Sequence, residues 1–315
     1  MDKQVDFLQA LVSDGRPLLT LTGLCLIFSG GFALFLSATG NFLPHDVAFL
    51  QMEPEKLCSL NQCRVVRFMF HDRVAFGGSL IAIGLLYLWL SAFPLARGEP
   101  WAWWLFVVTG IVGFGSFLTY LGYGYLDAWH GAATLLLLPC FVIGLVRSFP
   151  IIRQPAPISS LLKPSVKVRW TSRLGMGRAF LLATAAGMIL AGGTIMVVGM
   201  TSVFVPQDLE FMGLDEAGLQ ALSPRLIPLI AHDRAGFGGG ICTCGITVLF
   251  CVWCGSPSRS LWQVLFFSGV AGFSTAIGVH FAVGYLDFTH LLPAYLGALI
   301  LTVGLVLTHK PMHTA

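Results

Sequence analysis

Long apolar stretches alternate with short polar ones along the whole chain. Eight stretches are long enough to cross about 30 Å of hydrocarbon, which takes about 20 helical residues. They lie at 17–36, 66–90, 101–123, 129–146, 177–198, 227–253, 261–283 and 291–307. The pattern predicts an all-α polytopic membrane protein with eight transmembrane helices. The lipid bilayer is therefore an expected partner.

Composition agrees with this prediction and excludes other classes. Hydrophobic residues make up 56% of the chain and charged residues 10%, with a mean hydropathy of +0.81. Soluble domains carry about 25% charged residues. The net charge of +3 is too small to indicate the basic surface of a nucleic-acid-binding protein. Phosphate-loop, GxSxG and HExxH motifs are absent from the sequence, which disfavours nucleotide hydrolysis, serine-hydrolase chemistry and zincin proteolysis.

Lysine and arginine positions predict the orientation. Twelve lie in segments on the side of the N-terminus and six on the other side, and seven of the twelve fall between Arg147 and Arg178. Cytoplasmic loops keep the positive charge. We therefore expect a bacterial-type inner (cytoplasmic) membrane protein with both termini in the cytoplasm.

The two halves of the chain repeat each other. FLPHD at 42–46 recurs as FVPQD at 204–208, and HDRVAFGG at 71–78 recurs as HDRAGFGG at 232–239. GYLD followed by His occurs at 124–130 and again at 284–290. This repetition predicts two tandem four-helix bundles, residues 1–149 and 177–315, joined by a basic, proline-containing linker at 150–176. Pseudo-two-fold symmetry about the membrane normal is expected, since both units enter from the same side.

Four histidines mark the repeated motifs near the outer ends of the even-numbered helices. We expect His71 to face His130 in the first bundle and His232 to face His290 in the second. Two imidazoles from different helices can hold a haem iron, so the first interpretation is two b-type haems. Further residues suited to haem binding are arginines for its propionates and glycines that leave room for its ring: Arg73, Arg234, Gly77, Gly78, Gly238 and Gly239. Close helix packing is the alternative role for the glycines.

Two other interpretations use the same residues. Asp127 with His130, or Asp287 with His290, has a spacing that places both side chains on one helical face. With His71 or His232 added, either pair could bind non-haem iron or zinc, although each aspartate could instead cap a helix or pair with an arginine. Alternatively, His, Asp and Arg form a closed network that locks the bundle without any cofactor. His280 has no repeated counterpart and is interpreted as a packing residue.

At the level of architecture, the chain resembles the haem A synthase family. That family is similar in having eight helices in two halves, with histidines on even-numbered helices near the outer side. His71, His130, His232 and His290 match those positions, which implies haem binding. The loop before His71 is also similar to the family's, which implies a disulfide between Cys58 and Cys63 in an oxidising compartment. The chain departs from the family where Asp72 and Asp233 follow the first histidine of each half, since the family places arginine there.

The sequence thus predicts a membrane haem-binding protein for electron transfer or oxidoreduction, working with a redox partner or within a larger membrane complex. A non-haem metal oxidoreductase is the first alternative. An accessory subunit held together by its polar network is the second. A transporter is disfavoured, because the polar residues lie near one surface rather than at the midplane.

Overall fold

The architecture was obtained from a computed structural model, which describes residues 12–125, 128–152 and 156–314. Within these residues, eight helices are long and apolar enough to span a membrane. They are α1 (Arg16–Ala38), α2 (Arg64–Ala92), α3 (Pro100–Tyr123), α4 (His130–Ile151), α5 (Arg173–Met200), α6 (Leu226–Cys254), α7 (Arg259–Val283) and α8 (Phe288–His313). The eight predicted apolar helices are confirmed. Most of the helices extend past the apolar stretches, because polar residues at the ends continue the same backbone hydrogen bonding.

Several helix starts follow from capping side chains. Ser172 accepts a hydrogen bond from the Gly175 amide at the start of α5, and Ser258 accepts one from the Leu261 amide at the start of α7. Asp287 accepts one from the His290 amide at 2.7 Å at the start of α8. Serine and aspartate are favoured at these positions because they satisfy a free backbone N–H. The capping role of Asp287 is therefore confirmed.

Two long loops close one end of the bundle, which we term the capped face (residues 39–63 and 201–225). Each loop contains two short helices, Pro44–Leu50 and Pro54–Asn61 in the first and Pro206–Met212 and Glu216–Leu222 in the second. Leu57, Met212 and Leu219 are fully buried within an apolar cluster that includes the first turns of α2 and α6. In the first loop Cys58 and Cys63 form a disulfide, as the family resemblance implied.

Helices α2 and α6 lie at the centre of the molecule. Of their apolar windows, 67% and 72% are buried, against 17–29% for the other six helices. The long helices pack in two rings of five, both of which contain α2 and α6. The first ring is completed by α1, α4 and α3, and the second ring by α5, α8 and α7.

The packing of the two rings differs from the expectation that each half of the chain forms its own bundle. Helix α2 packs against α7, and α6 packs against α3. Each ring therefore includes one helix from the other half of the chain. The chain therefore does not separate into two self-contained four-helix bundles. The linker lies against the opposite end of the molecule, where the indole N–H of Trp104 donates to the Ala156 carbonyl and that of Trp253 to the Leu162 carbonyl.

Candidate metal centre

Two buried arginines connect the halves just below the capped face. In α2, Arg73 binds Asp46 at 2.7 Å and Asp233 of α6 at 3.1 Å. In α6, Arg234 binds Asp208 at 2.6 Å and Asp72 of α2 at 3.2 Å. Each guanidinium thus bridges a carboxylate from its own half and one from the other half.

The carboxylates of the capping loops are held by further matched contacts. Asp46 accepts hydrogen bonds from the Leu43 amide and the Tyr125 hydroxyl, while Asp208 accepts them from the Val205 amide and the Tyr285 hydroxyl. Burial, and then the neighbouring carboxylate, raises the pKa of each tyrosine above its usual value. Both phenols therefore remain protonated donors at neutral pH.

The network contains four aspartates and two arginines. Two guanidiniums face the carboxylates of Asp46, Asp72, Asp208 and Asp233. Removing charges from water is costly unless they are paired and hydrogen-bonded. The polar network predicted from the sequence exists, and its carboxylates outnumber its guanidiniums.

The histidines pair across the halves, which corrects the expected pairing within each bundle. His71 Nε2 lies 3.0 Å from His280 Nε2, and the ring of His290 is 5.6 Å from that of His71 between centroids. His130 Nε2 lies 3.0 Å from His232 Nε2. The histidines pair across the halves because, within the rings, α2 faces α7 and α8 whereas α6 faces α3 and α4.

Three histidines converge below the capped face in the second ring. His71, His280 and His290 each offer a ring nitrogen, and these nitrogens lie within 4.8 Å of one another. His71 and His280 are buried, while His290 is partly buried. They come from α2, α7 and α8, so the cluster requires both halves of the chain. We call these residues the three-histidine cluster.

The second nitrogen of each ring has a hydrogen-bond partner. His71 Nδ1 lies 3.0 Å from Asp72 Oδ1, and His280 Nδ1 lies 2.7 Å from the Ala276 carbonyl oxygen. His290 Nδ1 lies 3.4 Å from the Tyr285 hydroxyl. Such partners fix ring orientation and tautomer at metal sites.

These contacts determine which nitrogens of His71 and His280 carry hydrogen. The Ala276 carbonyl can only accept a hydrogen bond, and Asp72 already accepts from Arg234 on its other oxygen. Each Nδ1 is therefore the donor, and each Nε2 of a neutral ring presents a lone pair. Two lone pairs facing each other at 3.0 Å repel unless one Nε2 carries a proton or a cation lies beside them.

A cavity of about 640 Å³ adjoins the three-histidine cluster inside the second ring. Its walls come from α2, α5, α6, α7 and α8, and its lining includes His71, His280 and His290. The volume is in the range of small-molecule binding sites, about 300–1,000 Å³. One side of the cluster is therefore open to a ligand.

The first ring also contains three histidines close to one another. His130 and His232 are buried, the His45 ring lies 5.2 Å from that of His130, and Phe117 stacks on His130. The repeat offset places Tyr120 at the position of His280. Among the residues that the structure describes, only the three-histidine cluster brings three potential ligands of this kind together.

The paired glycines lie where helices cross. A Cβ added at Gly77 would meet the Gly30 carbonyl, and one added at Gly238 would meet the Met196 amide. At Gly78 and Gly239 it would collide with Thr275 and Ser116 respectively. These contacts favour the helix-packing role over room for a haem.

The remaining candidates have different surroundings. Arg73 and Arg234 bind aspartates, although the Arg73 Nη2 atom is buried and has no hydrogen-bond partner among the described residues. Asp287 is a helix cap with a pKa below its usual range, because it accepts hydrogen bonds from Thr289 and the His290 amide. Asp127 lies outside the described residues.

Sequence reasoning missed three parts of the site. His280 was set aside because the first half has no matching histidine. Asp46 and Asp208 were visible in the repeated FLPHD and FVPQD segments but were given no role. The matched Tyr125 and Tyr285, within the repeated GYLD, could have been found from the same repeat.

No protein-family model matches the chain, and neither a curated protein nor a solved structure matches it. The function is therefore inferred from the geometry of the site itself.

Proposed function

We propose that this protein is a membrane metalloenzyme that binds one zinc or iron ion on His71, His280 and His290. The observation that carries the proposal is the close approach of His71 Nε2 and His280 Nε2, which face each other at 3.0 Å with a third imidazole beside them. Imidazole nitrogens suit both metals. Three protein ligands with a remaining position open toward a cavity are typical of catalytic rather than structural zinc sites. With iron, oxidoreductase activity is expected.

The spacing of the nitrogens supports a small ion over haem. At a metal–nitrogen distance of about 2.0–2.1 Å, neighbouring ligands of a tetrahedral ion lie about 3.3 Å apart, whereas ligands on opposite faces of a haem lie about 4 Å apart. The observed 3.0 Å separations in both histidine groups are closer to the first value. The haem interpretation and the resemblance to haem A synthases remain predictions that visible absorption tests, since haem gives a Soret band.

The repeat extends to the contacts of the site, and we propose pseudo-two-fold symmetry about an axis between α2 and α6. Arg73 and Arg234 make equivalent pairs, as do Tyr125 and Tyr285. We also propose that the capped face lies on the outer side of a cytoplasmic membrane, with both termini inside. The basic linker at the opposite end supports this orientation. Fluorescent protein fused to the C-terminus should then fluoresce, while a C-terminal alkaline phosphatase fusion should be inactive.

Metal binding tests the proposed function directly. The purified protein, stripped with a chelator, should bind one tightly held cobalt ion per chain, with the visible bands of a tetrahedral site. His290→Ala should weaken cobalt binding by more than about 100-fold, because a direct ligand is worth at least as much as a supporting residue.

His130→Ala is the matched control, since His130 occupies the equivalent position in the first half but lies outside the three-histidine cluster. It should retain the tightly bound cobalt ion. A wild-type protein that binds no cobalt, or a Soret band that accounts for all four repeated histidines, would overturn the proposal.

A further inference from the structure

The cavity beside the three-histidine cluster is long. On α7 its lining runs from His280 to Leu265, and on α2 from His71 to Leu86. Each stretch covers about 22 Å at 1.5 Å per residue. On α8 it runs from His290 to Leu301, about 16 Å.

Polarity is confined to one end of this cavity. Beyond the histidines and their neighbours Asp72 and Arg234, the hydroxyl groups in the lining bond to carbonyls of their own helices. Ser79 donates to Ala75, Thr184 to Phe180 and Ser268 to Leu265. The walls are therefore effectively apolar along most of their length, and the lining at the far end includes Leu86, Val248 and Leu265.

The wall between α5 and α8 is built from small residues. Gly187, Ala191 and Ala294 line the cavity there, and a Cβ added at Gly187 would meet no atom within 4 Å. Elsewhere in the bundle, many glycines lie against a neighbouring backbone. Because Gly187 is exposed, these small residues leave the cavity accessible from the outer surface of the bundle at this wall.

We propose that the cavity binds a long-chain amphiphile drawn from the lipid phase, with a neutral oxygen-bearing head, such as an alcohol or phenol, beside the three-histidine cluster. The apolar chain lies along the second ring toward Leu86 and Leu265. This inference rests on the proposed metal site, because the metal ion provides the partner for the head oxygen. It names the substrate class of that site.

The occupant is tested with a hexadecanol probe that carries a photoreactive diazirine at its chain end. After irradiation of the metal-loaded protein in nanodiscs, labelled peptides should map to the end of the cavity lined by Leu86 of α2 and Leu265 of α7. Excess hexadecanol should suppress labelling about ten-fold more effectively than 1-bromohexadecane, which has the same chain without the oxygen.

Two variants that fill the cavity should abolish this labelling. Ala191→Trp and Ala294→Trp place a large ring on opposite helices of the wall, and both should retain the cobalt ion. Leu190→Trp is the matched control, since Leu190 is 72% exposed and is not part of the cavity lining. It should be labelled as the wild type is.

The two proposals fail separately. Suppose that cobalt binds. The amphiphile inference is then overturned, and the metal site stands, if labelling is absent or if both competitors suppress it equally. The same holds if labelling is equal in Ala191→Trp, Ala294→Trp and the wild type. If cobalt does not bind while head-dependent labelling persists, the metal proposal is overturned and the cavity retains its ligand class.

Discussion

Asp72 contacts both the three-histidine cluster and the network of buried arginines and aspartates. One of its oxygens accepts from His71 Nδ1, and the other accepts from the Arg234 guanidinium. A carboxylate in this position orients a metal-binding imidazole and increases its basicity. Asp72 is therefore a positioning residue for the three-histidine cluster as well as part of the ion-pair network.

We expect Asp72→Asn to weaken cobalt binding by about 10–100-fold, the usual effect of removing a supporting carboxylate. Asp233→Asn is the matched control, because Asp233 pairs with Arg73 and occupies the equivalent position in the other half. Cobalt titration followed by visible absorption measures both. Equal losses in the two variants would show that Asp72 acts only through the stability of the fold.

The arginines should matter for stability far more than a surface charge does. In Arg234→Gln, both Asp72 and Asp208 remain buried without their cation, which costs about 3–5 kcal/mol when one partner of a buried pair is removed. Arg16→Gln removes an exposed pair with Asp14 and should cost at most about 1 kcal/mol. Unfolding in mixed micelles compares the two variants. A small, equal effect would contradict the role given to the network.

At the scale of the helix, glycine pairs show how closely α1 and α5 approach the central helices. A Cβ added at Gly192 would collide with the Cys242 backbone, whereas one at Gly193 would meet nothing within 4 Å. Gly30 and Gly31 differ in the same way, since only Gly30 faces α2. One glycine of each pair therefore sets the distance between two helices.

Gly192→Ala should destabilise the protein by about 1–3 kcal/mol, because α5 and α6 must move apart. Gly193→Ala should be neutral or slightly stabilising, since alanine favours the helix and has free space. Equilibrium unfolding in mixed micelles distinguishes them. If Gly192→Ala were as stable as the wild type, the helices would not pack as closely as described.

At the scale of the whole molecule, the spans and the repeated polar motifs were predictable, but the partner of each helix was not. Eight apolar stretches fix the number of helices, and the repeated HDR and GYLD motifs place polar groups near one end. A repeat is equally compatible with α2 facing α3 and α4 or facing α7 and α8, because both arrangements preserve the pattern. For this reason His71 was paired with His130, and His280, which lacks a repeated partner, was overlooked.

The shared central helices predict that neither half is complete without the other. If the chain is divided within the linker and the two parts are produced together, a tag on one part should recover the other, because α2 contacts α6 and α7 while α6 contacts α3. The tightly bound cobalt should appear only in the joined pair, since His71 belongs to the first part and His280 and His290 to the second. Cobalt bound by the second part alone would contradict this arrangement.

The presence of α2 and α6 in both rings also constrains how such a chain could have arisen. A single four-helix unit would leave its second helix without the third helix that it packs against, so an ancestral unit would have worked as a homodimer of two identical subunits. Gene fusion would then have allowed one of two formerly identical pockets to change independently. The presence of histidine at position 280 and tyrosine at position 120 is the outcome expected from that freedom.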